Sequence, residues 1–222
     1  MDLSHTQLFR GIAEEDVRSM LQCLGARERA YERGEVILSA GNFIDEIGMV
    51  LEGMVLIEHS DVWGNNSVLG SVGPGAVFGE AYACLPGEPL MIHAAAAEHT
   101  RVLFLQVARV LETCSNACAF HARLVRNLLS VCAHKNLLLS RKILHTGPKS
   151  IRARLLSYFS ECVTRAGSYT FSIPYNRQQL ADYLGVDRST MCNELSKMGR
   201  EGLIAYHKNE FTIKNLAGQG DV

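Results

Sequence analysis

Apolar residues are spaced differently in successive parts of the chain. From residue 8 to residue 24 they recur mostly every three to five positions, which predicts short helices. From residue 33 to residue 105 they form short runs separated by glycine-rich turns such as Gly73-Pro74-Gly75. Strands that return about every eight to twelve residues with glycine at their corners are typical of a closed or two-sheet antiparallel architecture, a jelly roll or a barrel.

A long helix is predicted to begin near residue 108, because the next stretch, up to residue 144, contains neither proline nor glycine. Its apolar positions alternate between spacings of three and four, which is typical of a helix that packs along a seam. In a small protein the simplest partner for that seam is the same helix of a second subunit, and packing on the chain's own β-domain is the alternative. The positions assigned to the dimer seam are Leu124, Leu128, Val131 and Leu138.

The segment from Asn176 to Met198 carries the strongest functional signal, and it follows a break at Thr146-Gly147-Pro148. Asn176 can cap a first short helix, and Gly185 allows the left-handed turn that ends it. Asp187 can then cap a second helix that runs to about Arg200. This pattern predicts a helix-turn-helix whose second helix enters the major groove of DNA by its N-terminal end.

Polar side chains cluster at the start of that second helix, where base edges would lie. Arginine suits guanine and asparagine suits adenine, so Arg188 and Asn193 are expected to read bases. Residues 201 to 214 predict a two-stranded hairpin, the wing. The predicted DNA contacts are Arg188, Ser189, Cys192 and Asn193 on bases, Arg177, Gln178, Thr190 and Lys197 on phosphates, and His207 and Lys208 near the wing tip.

Charge is divided unevenly along the chain, although the formal net charge is only -1. Residues 1–102 hold 6 Lys/Arg against 15 Asp/Glu, whereas residues 103–222 hold 16 against 8. A basic half favours a polyanionic partner. Because the sequence shows no apolar run of membrane-spanning length and no signal peptide, we expect a cytoplasmic protein without a membrane partner.

The 7 cysteines are scattered and odd in number, which predicts reduced thiols. Cys114 and Cys118 stand four positions apart on one helical face and could bind a metal ion or respond to oxidation. Two ligands are too few for a closed metal site, so small buried thiols are the preferred interpretation and no metal is predicted.

Over nearly its full length the chain resembles the Crp/Fnr family, the regulators typified by the cyclic AMP receptor protein. The helix-turn-helix is the most specific part, and Gly75-Ala-Val-Phe-Gly-Glu80 is similar to the family's G-x-x-F-G-E stretch. The resemblance implies an α+β fold in three parts. It implies that residues 1–107 form an N-terminal jelly-roll-like β-roll, with the cyclic-nucleotide-binding-domain fold, that senses an effector. Residues 108–145 would then form a long dimerisation helix and hinge, and residues 146–222 a C-terminal winged helix-turn-helix. It also implies a homodimer that reads a near-palindromic site on double-stranded DNA and contacts RNA polymerase.

In family members that bind cyclic nucleotides, the Gly-Glu pair opens a phosphate-binding cassette, and an Arg-Ser pair about ten residues later holds the cyclic phosphate. Here Gly79 and Glu80 are present, but Leu90 and Met91 stand at the Arg-Ser positions. A buried phosphate without a cationic partner costs several kcal/mol, so we expect an effector other than a cyclic nucleotide. The alternatives are a cyclic-nucleotide sensor and a haem or redox sensor of the same family.

An apolar or aromatic effector, or haem, would suit the expected pocket beneath the long helix. No cofactor is assigned, although His93, His121 and His134 are candidate haem ligands. An iron–sulfur cluster is disfavoured because Cys23 stands alone in the N-terminal region. The predicted pocket residues are Gly79, Glu80, Leu85, Leu90, Met91, Ile92, Lys135 and Asn136.

Two other classes of protein compete with a regulator. A jelly-roll enzyme of the cupin kind needs His-x-His and a further histidine, and His59, His93 and His99 do not have that spacing. A regulatory ligand-binding subunit that does not bind DNA is the other candidate, and the intact recognition helix counts against it. We therefore predict that the chain is not an enzyme but a transcription regulator.

Overall fold

The structure is a computed structural model of the chain and describes residues 2–61, 63, 66–111 and 119–214. The chain divides into two compact units, Met1–His134 and Lys135–Val222, and the boundary falls inside the long helix. The predicted three-part division, with limits at residues 107 and 145, stays a prediction. Cys114 and Cys118 lie outside the described residues.

The first unit is built on strands. They are β1 (Arg27–Tyr31), β2 (Val36–Leu38), β3 (Glu46–Glu52), β4 (Val55–Ser60), β5 (Asn66–Val72), β6 (Val77–Phe78), β7 (His93–Ala96) and β8 (Thr100–Gln106). Within the described residues they form two four-stranded antiparallel sheets, ordered β1-β8-β3-β6 and β2-β7-β4-β5. The predicted two-sheet antiparallel architecture is thereby confirmed.

The pairing of β3 with β8 lies at the centre of the first sheet and joins two of the apolar runs seen in the sequence, with Met49 opposite Leu103. Gly48 sits in β3 because the ring of Phe78 on β6 covers its backbone. A Cβ atom at this position would overlap Cζ of that ring. The glycine therefore allows β6 to approach β3 closely.

Helices flank the sheets of the first unit. After a short 3-10 helix at Leu3–His5 come α1 (Glu14–Cys23), α2 (Glu80–Ala83), α3 (Val107–Leu111) and α4 (Ala119–Thr146), the last of which continues into the second unit. Among the described residues, none of these or the later helices combines the length and apolar character that a bilayer span requires.

The first part of α4 packs on the core of its own unit. Leu124, Leu128 and Val131 are all at most 5% exposed and belong to the same cluster as Leu8 and Phe9. The assignment of these three leucine and valine side chains to the dimer seam is therefore wrong. A three/four spacing shows that one side of a helix must be covered, but it does not show whether the same chain or a partner covers it.

A side-chain amide fixes α4 to the N-terminal segment as well. Nδ2 of Asn127 donates to the backbone carbonyls of Leu8 and Arg10, both at 2.9 Å. The fourth residue assigned to the seam, Leu138, lies in the second unit and is 49% exposed.

The second unit consists of the last turns of α4 and a compact α+β module. Its elements are α5 (Ile151–Ala166), β9 (Thr170–Ser172), α6 (Arg177–Leu184), α7 (Arg188–Arg200), β10 (Ile204–His207) and β11 (Glu210–Ile213). The three strands form an antiparallel sheet in the order β10-β11-β9. The predicted helix-turn-helix and wing are confirmed, and the hairpin pairs with a third strand.

An aromatic cluster holds the sheet of this module against α5. The ring of Phe159 lies 4.7 Å from that of Phe211 and 5.7 Å from that of Phe171, measured between centroids. All three side chains are at most 6% exposed. Burial of rings of this size contributes on the order of 1.5–3 kcal/mol each to stability.

His145, in the last turn of α4, is buried between α5 and α6. Its Nδ1 lies 2.8 Å from the hydroxyl of Tyr183, and its Nε2 lies 2.9 Å from Oε2 of Glu161. The edge of the ring meets Tyr158, with 5.4 Å between centroids. The end of the long helix is thus bonded to the helix-turn-helix module at both ring nitrogens.

Arg154 of α5 joins the corner between α4 and α5 to the same module. Its Nε donates to the carbonyl of Pro148 at 2.9 Å, and its Nη1 donates to the carbonyls of Leu184 and Gly185 at 3.0 and 3.1 Å. The predicted break at Thr146-Gly147-Pro148 is therefore a bonded corner inside one compact unit.

Burial lowers the pKa of His145 below its ordinary value. The Glu161 carboxylate acts in the opposite direction, and nearby Arg141 acts with burial. Burial outweighs the carboxylate because the side chain is only 4% exposed. The tyrosines around it stay protonated, since burial raises the pKa of Tyr183 to about 12 and that of Tyr158 further.

We expect acidification to loosen this module through His145. An unfolded histidine takes up its proton near pH 6.5, whereas the buried one resists it. The unfolded state then binds more protons, so the stability present above pH 6.5 decreases as the pH falls below that value. His145→Gln should flatten this dependence between pH 7.5 and pH 5, as read from amide exchange of α5 and α6 corrected for the intrinsic pH effect.

His207 provides the matched control, because it is an exposed histidine of the same unit. His207→Gln should leave the pH dependence of exchange unchanged. An equal slope in wild type and His145→Gln would contradict the assignment.

Candidate nucleic-acid interface

The N-terminus of α6 is closed by reciprocal side-chain bonds. Oδ1 of Asn176 accepts from the backbone N–H of Gln179, and Oε1 of Gln179 accepts from the N–H of Asn176, both at 2.9 Å. These bonds satisfy two donors that the first turn of a helix otherwise leaves open. The cap predicted at Asn176 is present.

The turn between α6 and α7 uses the left-handed backbone that the sequence suggested. Gly185 has φ 63° and ψ 46°, a conformation that carries a steric penalty for residues with a Cβ atom. The next N–H, that of Val186, donates to the carbonyl of Ala181 at 3.0 Å. Ala181 is fully buried in the core cluster that also holds Met191 and Leu195 of α7.

Asp187 caps α7 with one carboxylate oxygen. Oδ1 accepts from the N–H of Thr190 at 2.8 Å, from its hydroxyl at 2.7 Å and from the hydroxyl of Ser189 at 2.6 Å. These bonds stabilise the charged form and lower the pKa of Asp187 to about 2. The cap therefore stays ionised at neutral pH.

One face of α7 is buried and the opposite face is polar. Met191, Leu195 and Met198 are at most 1% exposed and pack in the core of the module. The other face presents the residues that we predicted to contact bases and phosphates. Exposed there are Arg188, Ser189, Thr190, Asn193 and Lys197, with Cys192 partly exposed.

The hydroxyls of Ser189 and Thr190 already donate to Asp187. A phosphate oxygen only accepts hydrogen bonds, so a hydroxyl engaged in this way has no proton left for it. Thr190 must give up its bond to Asp187 before it can serve as a phosphate ligand. Ser189 can still accept a hydrogen bond from a base.

Arg152 of α5 fixes the back of α7 through two carboxylates. Its Nε pairs with Glu194, and its Nη1 lies 2.7 Å from Oε2 of Glu201. These ion pairs raise the pKa of Arg152 and lower that of Glu201. One guanidinium thereby offsets part of the negative charge of two carboxylates on this side of α7.

The tip of the wing and the start of α6 form a groove. Gln178 is exposed and bonds to Asp182 at 2.8 Å, whereas Arg177 is partly buried against the wing. His207 and Lys208 are exposed at the wing tip, as predicted from the sequence. The groove is lined by Asn176, Arg177, His207, Lys208, Asn209 and Glu210.

The residues assigned to an effector pocket do not form a common buried lining. Leu90 is 2% exposed, whereas Leu85 and Met91 are 59% and 69% exposed. Ile92 is partly buried. Apolar side chains that face solvent do not enclose a ligand, so Leu85 and Met91 are not pocket walls in this structure.

The other residues assigned to the effector pocket lie at a strand corner and on α4. Gly79 has φ 77° at the corner between β6 and α2, and Glu80 is buried at 6% exposure. Lys135 is partly buried and Asn136 is exposed, and both belong to the second unit. Gly79 therefore has the left-handed backbone of a tight corner.

The three candidate haem ligands either make hydrogen bonds to the backbone or face the solvent. Nδ1 of His93 accepts from the N–H of Ala40 at 3.3 Å, and Nε2 of His121 lies 2.9 Å from the carbonyl of Arg109. His134 is exposed. In the parts of the chain that the structure describes, no three histidine, cysteine or acidic side chains are grouped as metal ligands would be.

Family models match both parts of the chain. Residues 28–117 match the cyclic nucleotide-binding domain, and residues 153–218 match the Crp-like helix-turn-helix domain. A β-roll followed by a winged helix-turn-helix defines the class of two-part DNA-binding regulators. The chain belongs to the Crp/Fnr family, a family of transcription regulators and not of enzymes.

Among curated proteins, the chain is similar to the probable transcriptional regulator flp of Lacticaseibacillus casei. The two are 33% identical over 94 residues, which cover 42% of this chain and 43% of the relative. The match therefore spans less than half of that relative's length.

Solved structures share the fold at low identity. The Catabolite Activator Protein of Thermus thermophilus is 24% identical over 94% of both chains, with a TM-score of 0.50. CprK complexed with OCPA is 18% identical over 92% of this chain and 94% of its own, with a TM-score of 0.62. CLP of Xanthomonas campestris, described as responsive to c-di-GMP, is 17% identical over 90% of this chain and 100% of its own, with a TM-score of 0.52.

Proposed function

We propose that the chain is a homodimeric, sequence-specific transcription regulator that reads a two-fold symmetric site on double-stranded DNA with α7. The observation that carries the proposal is the arrangement of this helix. Its apolar side is buried in a capped helix-turn-helix, while Arg188 and Asn193 stand exposed at its N-terminal end. A helix held in this way can enter the major groove without rearranging the core.

The division of charge supports a nucleic-acid partner for this half of the chain. Residues 103–222 carry 16 Lys/Arg against 8 Asp/Glu. Two of those acidic residues, Glu194 and Glu201, are paired with Arg152. Phosphate contacts made by a basic surface supply most non-specific affinity and position the helix for base contacts.

Replacing Arg188 should test the base-reading role. Selection from random-sequence DNA should first enrich a two-fold symmetric site, which neither an enzyme nor a ligand-binding subunit would do. On that site Arg188→Ala should cost about 1–3 kcal/mol and relax selectivity at one base pair in each half-site.

Lys197→Ala is the control, because an exposed lysine that touches phosphate acts on every sequence alike. It should weaken binding about uniformly and reduce the salt slope by about 1. Equal loss on every sequence for Arg188→Ala would contradict base reading.

We assign the dimer contact to a different side of α4 from the one that the sequence suggested. Leu129 and Ile143 are both 68% exposed, and Leu139 is 64% exposed. Leu129, Asn136 and Ile143 recur every seven residues, and Leu139 lies between the last two. Cys132, between the first two, is instead partly buried against the core of the first unit. This row is shifted by one residue, about 100° around the helix, from the predicted seam.

A second copy of the same helix is the partner that fits this row. A seven-residue repeat keeps two helices in contact along their length, and the repeat here runs along a helix of 28 residues. In a two-fold pair each residue near the axis meets its own copy, so Asn136 can bond with Asn136 of the other helix and fix their register.

Two matched variants separate the dimer row from the core side. Leu129→Ala/Ile143→Ala should raise the dimer dissociation constant at least about tenfold in sedimentation equilibrium, because apolar contacts are lost from both copies. Leu124→Ala should instead lower the free energy of unfolding by about 2–5 kcal/mol, since Leu124 is fully buried within the unit.

An unchanged dissociation constant for the double variant would rule out this row of α4 as the dimer contact. Half-sites spaced about 34 Å apart, one turn of DNA, are expected for the dimer. Contact with RNA polymerase stays an expectation from the family.

We further propose that any effector of the β-roll is not cyclic AMP or cyclic GMP. Relatives with this fold are described with different ligands, c-di-GMP for CLP and OCPA for CprK. In this chain Leu90, at a position where the cyclic-phosphate contact is expected, is a buried hydrocarbon side chain. It offers no donor to a phosphate.

Calorimetric titration of the full chain with cyclic AMP and cyclic GMP should therefore show no saturable binding up to about 1 mM nucleotide. A dissociation constant above about 1 mM corresponds to a binding free energy of about 4 kcal/mol or less. Leu90→Arg/Met91→Ser restores the missing pair and serves as the comparison. Micromolar binding by wild type that Glu80→Ala abolishes would overturn the proposal.

A further inference from the structure

Arg177, the first residue of α6, faces the wing instead of the solvent. Its guanidinium carbon lies 4.9 Å from the centroid of the Phe211 ring and 5.2 Å from that of Tyr206. Its Nη2 donates to the backbone carbonyl of Lys208 at 2.8 Å. One side chain thus connects the start of the helix-turn-helix to both strands and to the tip of the wing.

The wing tip is a two-residue turn in a strained conformation. His207 pairs with Glu210, which leaves Lys208 and Asn209 to form the turn. Lys208 has φ 51°, and among the described residues other than glycine it alone has a positive φ. A lysine is held in this region only where its surroundings determine the backbone.

Two bonds determine it here. Arg177 holds the carbonyl of Lys208, and the N–H of Ile173 donates to the carbonyl of Asn209 at 2.9 Å. Both carbonyls of the turn are therefore anchored to the body of the module. The side chains of His207 and Lys208 remain exposed at the tip.

The same contacts make Arg177 a poor phosphate ligand, which is the role that we predicted for it. Nη2 is already bonded, and two aromatic rings lie against the guanidinium. Nη1 is buried and has no hydrogen-bond partner among the described residues. A phosphate could reach these donors only if the side chain left the wing.

We propose that Arg177 is a positioning residue for DNA binding: it clamps the wing in the strained turn that aims His207 and Lys208 at the DNA backbone. The inference rests on the proposed function for the DNA contact, whereas the clamp itself is a property of the free protein. Arg177 then contributes to the affinity for DNA only through the wing-tip side chains that it positions.

The clamp is tested without DNA by amide exchange of the Ile204–Ile213 hairpin in the full chain. Arg177→Met keeps an apolar side chain beside the rings but removes the donors, and it should speed exchange there at least about tenfold. Arg177→Lys keeps the charge without the planar fork and should also speed it. The neighbouring exposed variant Gln178→Ala should leave the hairpin unchanged.

A rescue variant keeps the test valid if Arg177→Met loosens the whole module. Glycine adopts positive φ without strain, so Arg177→Met/Lys208→Gly should recover most of the hairpin protection. Unchanged hairpin exchange in Arg177→Met would overturn the proposal, whatever the protein does with DNA.

A double-mutant cycle tests whether Arg177 affects DNA binding through the wing tip. Binding is measured on a labelled 30-base-pair duplex of mixed sequence at low salt, where phosphate contacts dominate. Arg177→Met alone should weaken binding about five- to thirtyfold. In a His207→Ala/Lys208→Ala background the same change should matter less than about twofold. Full additivity would show a direct phosphate contact and refute the positioning role.

Absence of duplex binding by wild type would instead contradict the proposed function. In that case the exchange experiment alone decides whether the clamp exists.

Discussion

The close approach of α6 and α7 is the constraint on which the DNA-binding surface depends. It requires a fully buried methyl group at Ala181 and a left-handed glycine at position 185. Both helices begin at side-chain caps, Asn176 and Asp187, which satisfy part of the open donors of their first turns. A larger residue at position 181 would overpack this core and cost about 1–3 kcal/mol of stability.

The rest of the second unit holds this pair of helices in place from three sides. Aromatic rings around Phe159 attach the sheet, and Arg152 attaches the back of α7. Arg154 and His145 attach the corner at residues 146–149 and the end of α4. These bonds all lie within one compact unit, so the last turns of α4 and the helix-turn-helix are joined by direct hydrogen bonds.

The long helix shows how one element can serve two purposes. Its first part carries a buried side that completes the core of the first unit, while Leu129 and Ile143 mark a second apolar row on its surface. In sequence the two rows differ by a single position, and either spacing satisfies a helical repeat. Only the packing of Leu124 and its neighbours shows which row is already covered.

The sequence by itself determined an antiparallel β-domain, the helix-turn-helix and the wing, because short apolar runs, glycine corners and capping residues act over a few positions. It also placed Arg188 and Asn193 on an exposed helical surface correctly. That the β-domain consists of two sheets was decided by the structure. Tertiary structure alone decided the covered side of α4, the exposure of Leu85 and Met91, and the engagement of Arg177 with the wing. Those features depend on which segments meet across long stretches of chain, and a local pattern of residue types carries no record of its distant neighbours.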